Sequence, residues 1–346
     1  MWRSVVRRWT VWIGAAVSAA ALLLAFRGID WGGLMRAASG ADYAYLLPAA
    51  LLMLAAIAAR AERWRWLLGG RDRVGYMRSF RAVSIGYLMT NVLPFRLGEL
   101  VRPIVISRGG AIGAVHALSS IAVEHVLDVV MILALLVVAL PDVPLPPLVA
   151  QGARLSAIAF GGAAVVMMLL VVAHKRVERA AERFLDAVPF LDTTTWLRRF
   201  NSALEGLSVL RRPRLFVMSA LWTLIAWLAS AASLYCAMLA FVPNASMTSA
   251  LFTTVTSSLV LLVPSTPGYI GVLEWAIRDS LVLFGWSPEA ALACAISFHF
   301  MELAVMNVSG VACLIGEGLS WSAAVSEARR AGAAQREAQP AMEEAG

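Results

Sequence analysis

Charged residues are scarce in this chain of 346 residues. They make up 15% of the composition, whereas a typical soluble domain carries about 25%. Hydrophobic residues reach 60%, and the mean hydropathy is +0.75. These values exclude an ordinary water-soluble enzyme and predict a protein that crosses a membrane several times.

Lysine and cysteine are also rare. Lys175 is the only lysine among 29 basic residues, and the net charge is +7. The three cysteines, Cys236, Cys294 and Cys313, lie in apolar stretches without metal-site or disulfide spacing. The sequence contains no Walker A, GxGxxG, HExxH or Gly-x-Ser-x-Gly motif. We therefore expect no cofactor and no bound metal.

Long apolar stretches predict the membrane spans. A span needs about 20 mostly apolar residues, and six stretches suffice: Trp9–Phe26, Tyr43–Ala59, Ala111–Leu140, Leu155–Ala173, Leu215–Val242 and Ala290–Ile315. The first resembles a signal peptide, but no convincing cleavage site follows it, so a retained helix is expected. The sequence predicts an all-α, polytopic integral membrane protein with about six full spans and two further broken hairpins.

The two hairpins occupy about residues 80–108 and 247–284. Each consists of an apolar arm, a Pro/Gly break and a second arm; the first uncharged arm, residues 82–95, would be about 21 Å long as a helix and too short for the ~30 Å hydrocarbon core. We interpret both as re-entrant or broken hairpins. Two full crossings each is the alternative, and simple kinks in packed helices would also explain the Pro and Gly residues. Three spans separate the hairpins, so they are expected to enter from opposite faces, as an inverted repeat.

Basic residues outside the hairpins are distributed unevenly about the predicted spans. If the N-terminus is cytoplasmic, the outer side receives only Arg27, Arg36 and Arg154, and the outer loops 141–152 and 243–246 contain no Lys or Arg. All other basic residues of the loops and tail then lie inside. This asymmetry predicts cytoplasmic N- and C-termini in a plasma membrane, and it explains the basic runs without nucleic acid.

The predicted domain organisation is a transmembrane unit over residues 1–321 and a flexible cytoplasmic tail over residues 322–346. Within the first unit, residues 174–214 alternate basic and apolar side chains, which predicts a cytoplasmic interfacial segment. Trp64 and Trp66 lie between arginines and resemble an interfacial aromatic anchor.

Ionisable residues accompany both breaks, although a charge at the centre of a membrane helix costs about 3 kcal/mol. Glu99 and Arg102 have i, i+3 spacing, and Glu274 and Arg278 have i, i+4 spacing. Each pair could simply neutralise itself. Alternatively, the breaks form a polar cavity for a zwitterionic or charged head group, with free backbone N–H groups suited to a phosphate. The candidate substrate-binding residues are Asn91, Arg96, Glu99, Arg102, Glu274 and Arg278.

A second set of polar residues forms the expected shell of this cavity: Glu124, Asp128, His299 and Glu302. Glu124 and Asp128 share a helical stripe with His116 and Ser120. A metal site or proton relay is conceivable there, but a salt bridge to the Arg96/Arg102 region is the expected arrangement. His299 and Glu302 also share a face, as a hydrogen-bonded pair or as a cavity wall.

Four ordered motifs carry a family resemblance over roughly residues 10–318: Arg60-x-x-Arg63-Trp-Arg-Trp-Leu-Leu68, Gly86-Tyr-x-x-Thr-Asn91-x-x-Pro94-x-Arg-x-Gly98-Glu99-x-x-Arg102, Glu124-His-x-x-Asp128 and Pro264-x-x-Pro-Gly268-x-x-Gly271-x-x-Glu274. They resemble the flippase-like membrane domain of the lysylphosphatidylglycerol synthases, which also occurs in stand-alone proteins. His125 stands where that family usually has Arg.

The resemblance implies lipid translocation in a bacterial or archaeal plasma membrane. Bifunctional members flip aminoacylated phosphatidylglycerol made by a fused synthetase; we expect this chain, without that segment, not to make the lipid itself. Stand-alone relatives are linked to other lipids, including polyprenyl-phosphate sugars and hopanoids. The expected function is therefore a non-enzymatic lipid translocase whose partners are a membrane lipid and, as a candidate, a separate lipid-synthesising enzyme.

Two alternatives remain open from the sequence. The chain could be a membrane-embedded enzyme that modifies a lipid head group with Glu, Asp and His as acid–base residues. It could also be a non-catalytic partner of a lipid synthetase, docked through residues 174–214.

Overall fold

The computed structural model describes residues 2–93 (side chains from Gly14 onward), 98–108, 112–139, 162, 212–261 and 265–318. This part of the chain is entirely helical and contains no strand. The predicted span Leu155–Ala173, most of the segment 174–214 and the tail 322–346 lie outside the described residues.

Ten α-helices make up the described architecture. In chain order they are α1 (Trp2–Phe26), α2 (Trp31–Ser39), α3 (Leu46–Leu67), α4 (Tyr76–Val92), α5 (Gly98–Ser107), α6 (Ala114–Ala139), α7 (Pro213–Leu239), α8 (Met247–Val260), α9 (Val272–Leu283) and α10 (Pro288–Gly316). Short 3-10 turns occur at Tyr43–Tyr45 and Pro267–Tyr269.

Four of these helices are long and apolar enough to cross a membrane. They occupy Tyr43–Leu67 with its preceding 3-10 turn, Ala114–Ala139, Pro213–Leu239 and Pro288–Gly316. A fifth span results if Gly14–Phe26 and Trp31–Ser39, which are bent by 85°, form one broken span. The protein is therefore a multi-pass membrane protein, with four or five candidate spans in the described residues rather than the predicted six.

Several helix starts have side-chain caps that the sequence encodes. Asp30 accepts hydrogen bonds from the backbone of Gly32 and Gly33 at the start of α2. Ser246 and Ser287 cap α8 and α10 in the same way. These side chains satisfy backbone N–H groups that have no partner within the helix.

The first predicted hairpin consists of two separate helices, α4 and α5, that pack directly against each other. A Cβ atom at Gly98 would collide with the backbone N of Thr90 and the carbonyl oxygen of Gly86. Glycine at position 98 therefore permits an approach of the two arms that any side chain would prevent.

The second predicted hairpin consists of α8 and α9, which also pack together. Its break turns through positive φ angles at Gly268 (72°), Tyr269 (56°) and Gly271 (89°). The Ser18 hydroxyl of α1 lies 2.8 Å from the Thr266 hydroxyl and accepts a hydrogen bond from the Thr266 N–H. The break is thus anchored to the first helix.

The two breaks lie close together, beside the long helix α10. A Cβ atom at Gly268 would lie 3.7 Å from the carbonyl oxygen of Asn91, at the end of α4. The Asn91 amide donates a hydrogen bond to Asn307 of α10. The sequence breaks of the two hairpins therefore meet in space, although they are separated by more than 160 residues along the chain.

The helix pair α3 and α7 forms the most extensive packing among the described elements. Polar contacts cross this interface: the Ser233 hydroxyl donates to the carbonyl of Ala49 (2.7 Å), and Arg60 donates to the Ser230 hydroxyl (2.9 Å). Hydrogen bonds between small polar residues commonly join helices in membranes.

Candidate functional site

A buried group of two arginines and two carboxylates joins α3, α5 and α6. We call Arg63, Arg102, Glu124 and Asp128 the central ionic cluster. Glu124 lies between the two guanidinium groups: Arg63 Nη2 is 2.7 Å away, and Arg102 reaches both carboxylate oxygens at 3.0 and 2.8 Å. Arg63 also forms a two-bond contact with Asp128, at 2.5 and 3.2 Å. The formal charges balance, which is what a membrane interior requires of buried ions.

Two tryptophans complete the surroundings of this cluster. The Trp227 indole of α7 donates to Asp128 (2.9 Å), which ties a fourth helix to the group. Trp64 donates to the Ser120 hydroxyl (2.9 Å), and the guanidinium of Arg102 lies 4.4 Å from the centre of its ring. Because Arg63 and Glu124 are almost inaccessible, these contacts hold the cluster in one arrangement.

Glu99 and His125 form a more accessible contact at the edge of the cluster. His125 Nε2 lies 3.1 Å from a Glu99 carboxylate oxygen, and 49% of the His125 side chain is exposed. Glu99 is in the first turn of α5, directly after the first break. A histidine therefore supplies the partner for Glu99 at the position where the resembling family usually has arginine.

A second polar group surrounds the break before α9. Glu274 accepts a hydrogen bond from the backbone N–H of Gly271 (2.7 Å), and its other oxygen lies 2.9 Å from His299 Nδ1. The His299 ring also hydrogen bonds with the backbone of Gly268. Glu274 and His299 are both buried, so this group fixes the turn between the two arms.

A third polar region lies between α3, α7 and α10. Arg60 of α3 donates to Ser230 of α7 (2.9 Å). Glu302 of α10 lies within electrostatic range of Arg60 but forms no ion pair or hydrogen bond with any described residue. Both side chains keep part of their surface accessible.

The structure brings most of the predicted site residues together in these groups. Arg102, Glu124 and Asp128 form the expected salt bridge between the first hairpin and α6, Asn91 lies where the breaks meet, and Glu274 lies beside His299. Arg96 lies outside the described residues.

Three predicted pairings are wrong, each because a better-placed partner lies on another helix. Arg102 pairs with Glu124 rather than with Glu99. His299 pairs with Glu274 rather than with Glu302. Arg278 does not reach Glu274; it donates to the carbonyls of Leu24 and Arg27 at the end of α1 and pairs with the adjacent Asp279.

Sequence reasoning missed the role of Arg63 and misplaced Trp64. Arg63 was counted as part of a cytoplasmic loop, yet it is in α3 and is 1% exposed. The predicted interfacial anchor is also wrong, since Trp64 and Trp66 are both buried. The presence of both residues in the first family motif was the signal that could have identified them.

The arrangement offers charge recognition rather than metal chemistry. Among the described residues, no group of three or more His, Cys, Asp or Glu side chains gathers as a metal site would require. The guanidinium, carboxylate and imidazole groups can instead bind a charged head group or a proton.

Comparisons with known proteins agree with this architecture. The chain is 25% identical over 358 aligned positions to the glycosyltransferase AglD of Haloferax volcanii, with 93% of this chain and 57% of that protein covered. It thus spans just over half the length of that relative. It is 24% identical to a UPF0104 membrane protein of Methanothermobacter thermautotrophicus, with 86% of this chain and 93% of that protein covered. The model of the lysylphosphatidylglycerol synthase TM region matches residues 11–310, and the chain therefore belongs to that family.

Proposed function

We propose that this chain is a lipid translocase, which moves a lipid with a polar head group between the two leaflets of a bacterial or archaeal plasma membrane. The observation that carries the proposal is the central ionic cluster, in which charges from α3, α5 and α6 are held inside a membrane domain. Ionisable residues at membrane depth are costly, and they commonly mark the paths of substrates and ions.

The two hairpin breaks provide the second line of support. Broken helices of paired hairpins commonly form the substrate sites of membrane transporters near the bilayer midplane. Here the breaks meet near Asn91 and Gly268, with Glu99 and Glu274 in the first turns of the following helices. A head group that enters this region would meet charged side chains from both hairpins.

The lipid is proposed as a class rather than as one compound. Paired cationic and anionic side chains suit a head group that carries a phosphate and hydrogen-bond donors. Aminoacyl-phosphatidylglycerol fits the name of the family, and a polyprenyl-phosphate-linked sugar fits the name of the Haloferax volcanii relative. Both belong in the first set of test lipids, with phosphatidylglycerol as the simpler anion.

Glu99→Gln and Glu274→Gln test the site. The purified protein is reconstituted into vesicles with a trace of fluorescent lipid, and the rate at which the label becomes accessible to an external quencher is measured. We expect each variant to slow translocation at least tenfold, because a neutral amide cannot balance a cationic partner or recognise a cationic group.

Arg36→Gln is the matched control, because it removes an ion pair with Asp30 that is largely exposed and distant from both breaks. It should translocate at the rate of the unaltered protein. Unchanged rates in both glutamate variants, with a folded protein by size-exclusion chromatography, would show that these carboxylates are not part of the site.

A second candidate is a membrane-embedded enzyme or enzyme partner that acts on lipid head groups. The printed name of the Haloferax volcanii relative, a glycosyltransferase, favours it. This candidate predicts a chemically altered lipid, which mass spectrometry of the vesicle lipids after incubation with a nucleotide sugar or aminoacyl-tRNA would detect. Translocation without such a product would favour the first proposal.

A further inference from the structure

Glu302 occupies an unusual position for a carboxylate. It is the middle residue of α10, which extends from Pro288 to Gly316 and is apolar enough to span a membrane. It is packed deeply among neighbouring atoms yet keeps part of its surface accessible, as does a side chain that faces an internal cavity. A charge at this depth requires a partner or water.

Arg60 is the nearest cation to act on Glu302, but the two do not touch. No nitrogen of Arg60 lies within 4.0 Å of a Glu302 oxygen, and Arg60 instead donates to the neutral Ser230 hydroxyl. This differs from the central ionic cluster, where Arg63 and Arg102 both contact carboxylates directly. Arg60 therefore keeps donors that can take another anion.

The surroundings of Glu302 contain few other charges. His299 on the same helix acts on it and is already bound to Glu274 of α9. The neighbouring polar groups of α4 and α7 are neutral: Asn91 and Ser230. Among the described residues, Arg60 and Glu302 are thus a cation and a carboxylate that face one region without satisfying each other.

We propose that Glu302 is a proton-binding residue that couples lipid movement to the proton gradient, with Arg60 as the alternating partner. When Glu302 carries no proton, its negative charge attracts Arg60. When it is protonated, Arg60 is free to bind an anionic oxygen of the lipid head group. This inference rests on the proposed lipid translocation and adds its source of energy.

The transport step balances in protons and charge. One proton enters from one side and binds Glu302, one anionic lipid binds Arg60, and both leave on the other side. No covalent bond is formed or broken. For a lipid with a single negative charge the cycle is electroneutral, so the pH difference, and not the membrane potential, would drive it.

A pH gradient across sealed proteoliposomes tests the coupling. A trace of fluorescent phosphatidylglycerol, which has one negative charge, is distributed between the leaflets, the potential is clamped with potassium and valinomycin, and the final leaflet ratio is measured by quenching. With one-to-one coupling, a gradient of one pH unit shifts this ratio up to about tenfold, the equivalent of 1.36 kcal/mol. The lipid should accumulate on the more alkaline side.

Three variants separate coupling from translocation. Glu302→Gln should still equilibrate lipid, with a leaflet ratio that ignores the gradient, whereas Glu302→Asp should keep the shift. Glu289→Gln, at the opening turn of the same helix, should behave as the unaltered protein. Translocation by the unaltered protein with no response to the gradient would overturn the coupling and leave translocation standing. A gradient response that survives in Glu302→Gln would overturn the role of this residue, whereas no lipid movement at all would overturn the proposed function itself.

Discussion

At the scale of single residues, Glu124 is the side chain on which the site depends. It receives hydrogen bonds from Arg102 and an ion pair from Arg63, and it is buried. Removal of one partner from a buried ion pair is strongly destabilising because it leaves the other charge uncompensated. Three helices are therefore held in register by one carboxylate.

Glu124→Gln should lower the thermal stability of the detergent-solubilised protein. Loss of the negative charge leaves two arginines facing each other across an uncharged amide, and a change of this kind costs about 3–5 kcal/mol. The melting midpoint from tryptophan fluorescence measures the effect. Glu317→Gln is the control: it breaks the more accessible pair with Arg81, and it should cost about 1 kcal/mol or less.

The residues of the cluster could be only partly predicted from the sequence. The ion pair between α6 and Arg102 was predicted because both segments carried isolated charges in apolar runs. Arg63 was missed because the predicted span ended at the first arginine, Arg60, whereas α3 continues to Leu67. A helix can carry an arginine inward when a carboxylate on a neighbouring helix neutralises it, and a single segment does not show that neighbour.

At the scale of secondary-structure elements, glycines determine how closely the hairpin arms pack. Gly86 lies under the side chain of Arg102, where a Cβ would be 2.5 Å from its Cγ, and Gly98 lies against the backbone of the opposite arm. Gly310 of α10 fits against Leu88 and the carbonyl of Ser84 in the same way. The first hairpin is thus surrounded by contacts that leave no room for a methyl group.

Gly98→Ala should separate the arms of the first hairpin and displace Arg102 from Glu124. We expect a loss of translocation of at least tenfold together with a lower melting midpoint, since overpacking typically costs about 1–3 kcal/mol. The matched control is Gly75→Ala at the start of α4, where a Cβ would meet no atom within 4 Å. Equal stability and activity of the two variants would contradict the close packing described for α4 and α5.

The break in each hairpin was predictable, but its boundaries were not. Pro and Gly residues identify both breaks, and the structure has separate helices on either side of each. Helix α4 begins at Tyr76, before the first predicted arm, because Arg81 is accommodated by an ion pair with Glu317 near the end of α10. Contacts of this kind depend on packing between distant segments.

At the scale of the whole molecule, the helices are arranged so that apolar side chains face outward and polar groups face inward. Leu47, Leu51, Val138 and Phe300 are among the large hydrophobic residues that are exposed, whereas Glu124, Arg102 and His299 are buried. A membrane protein has this arrangement because its exterior contacts lipid. The expected sidedness depends on the basic residues of the loops, and it stays a prediction.

Single cysteines at the two ends of α3 test the orientation. In a background with the three native cysteines replaced by alanine, Ser39→Cys should react with a membrane-impermeant maleimide in intact cells. Gly75→Cys should react only after the cells are opened, because the loop it belongs to is rich in arginine. The reverse pattern would place the N-terminus outside and contradict the predicted topology.

The central claim is that the protein moves lipid between leaflets, and the final extent of quenching in proteoliposomes tests it most directly. Fluorescent lipid placed in both leaflets is exposed to a quencher that cannot cross the membrane. Vesicles without protein should lose about half of the signal, since only the outer leaflet is accessible. The account predicts that vesicles containing the protein lose clearly more than half for at least one of the three test lipids. Quenching that stops at half for every lipid, with and without an imposed proton gradient, would contradict it.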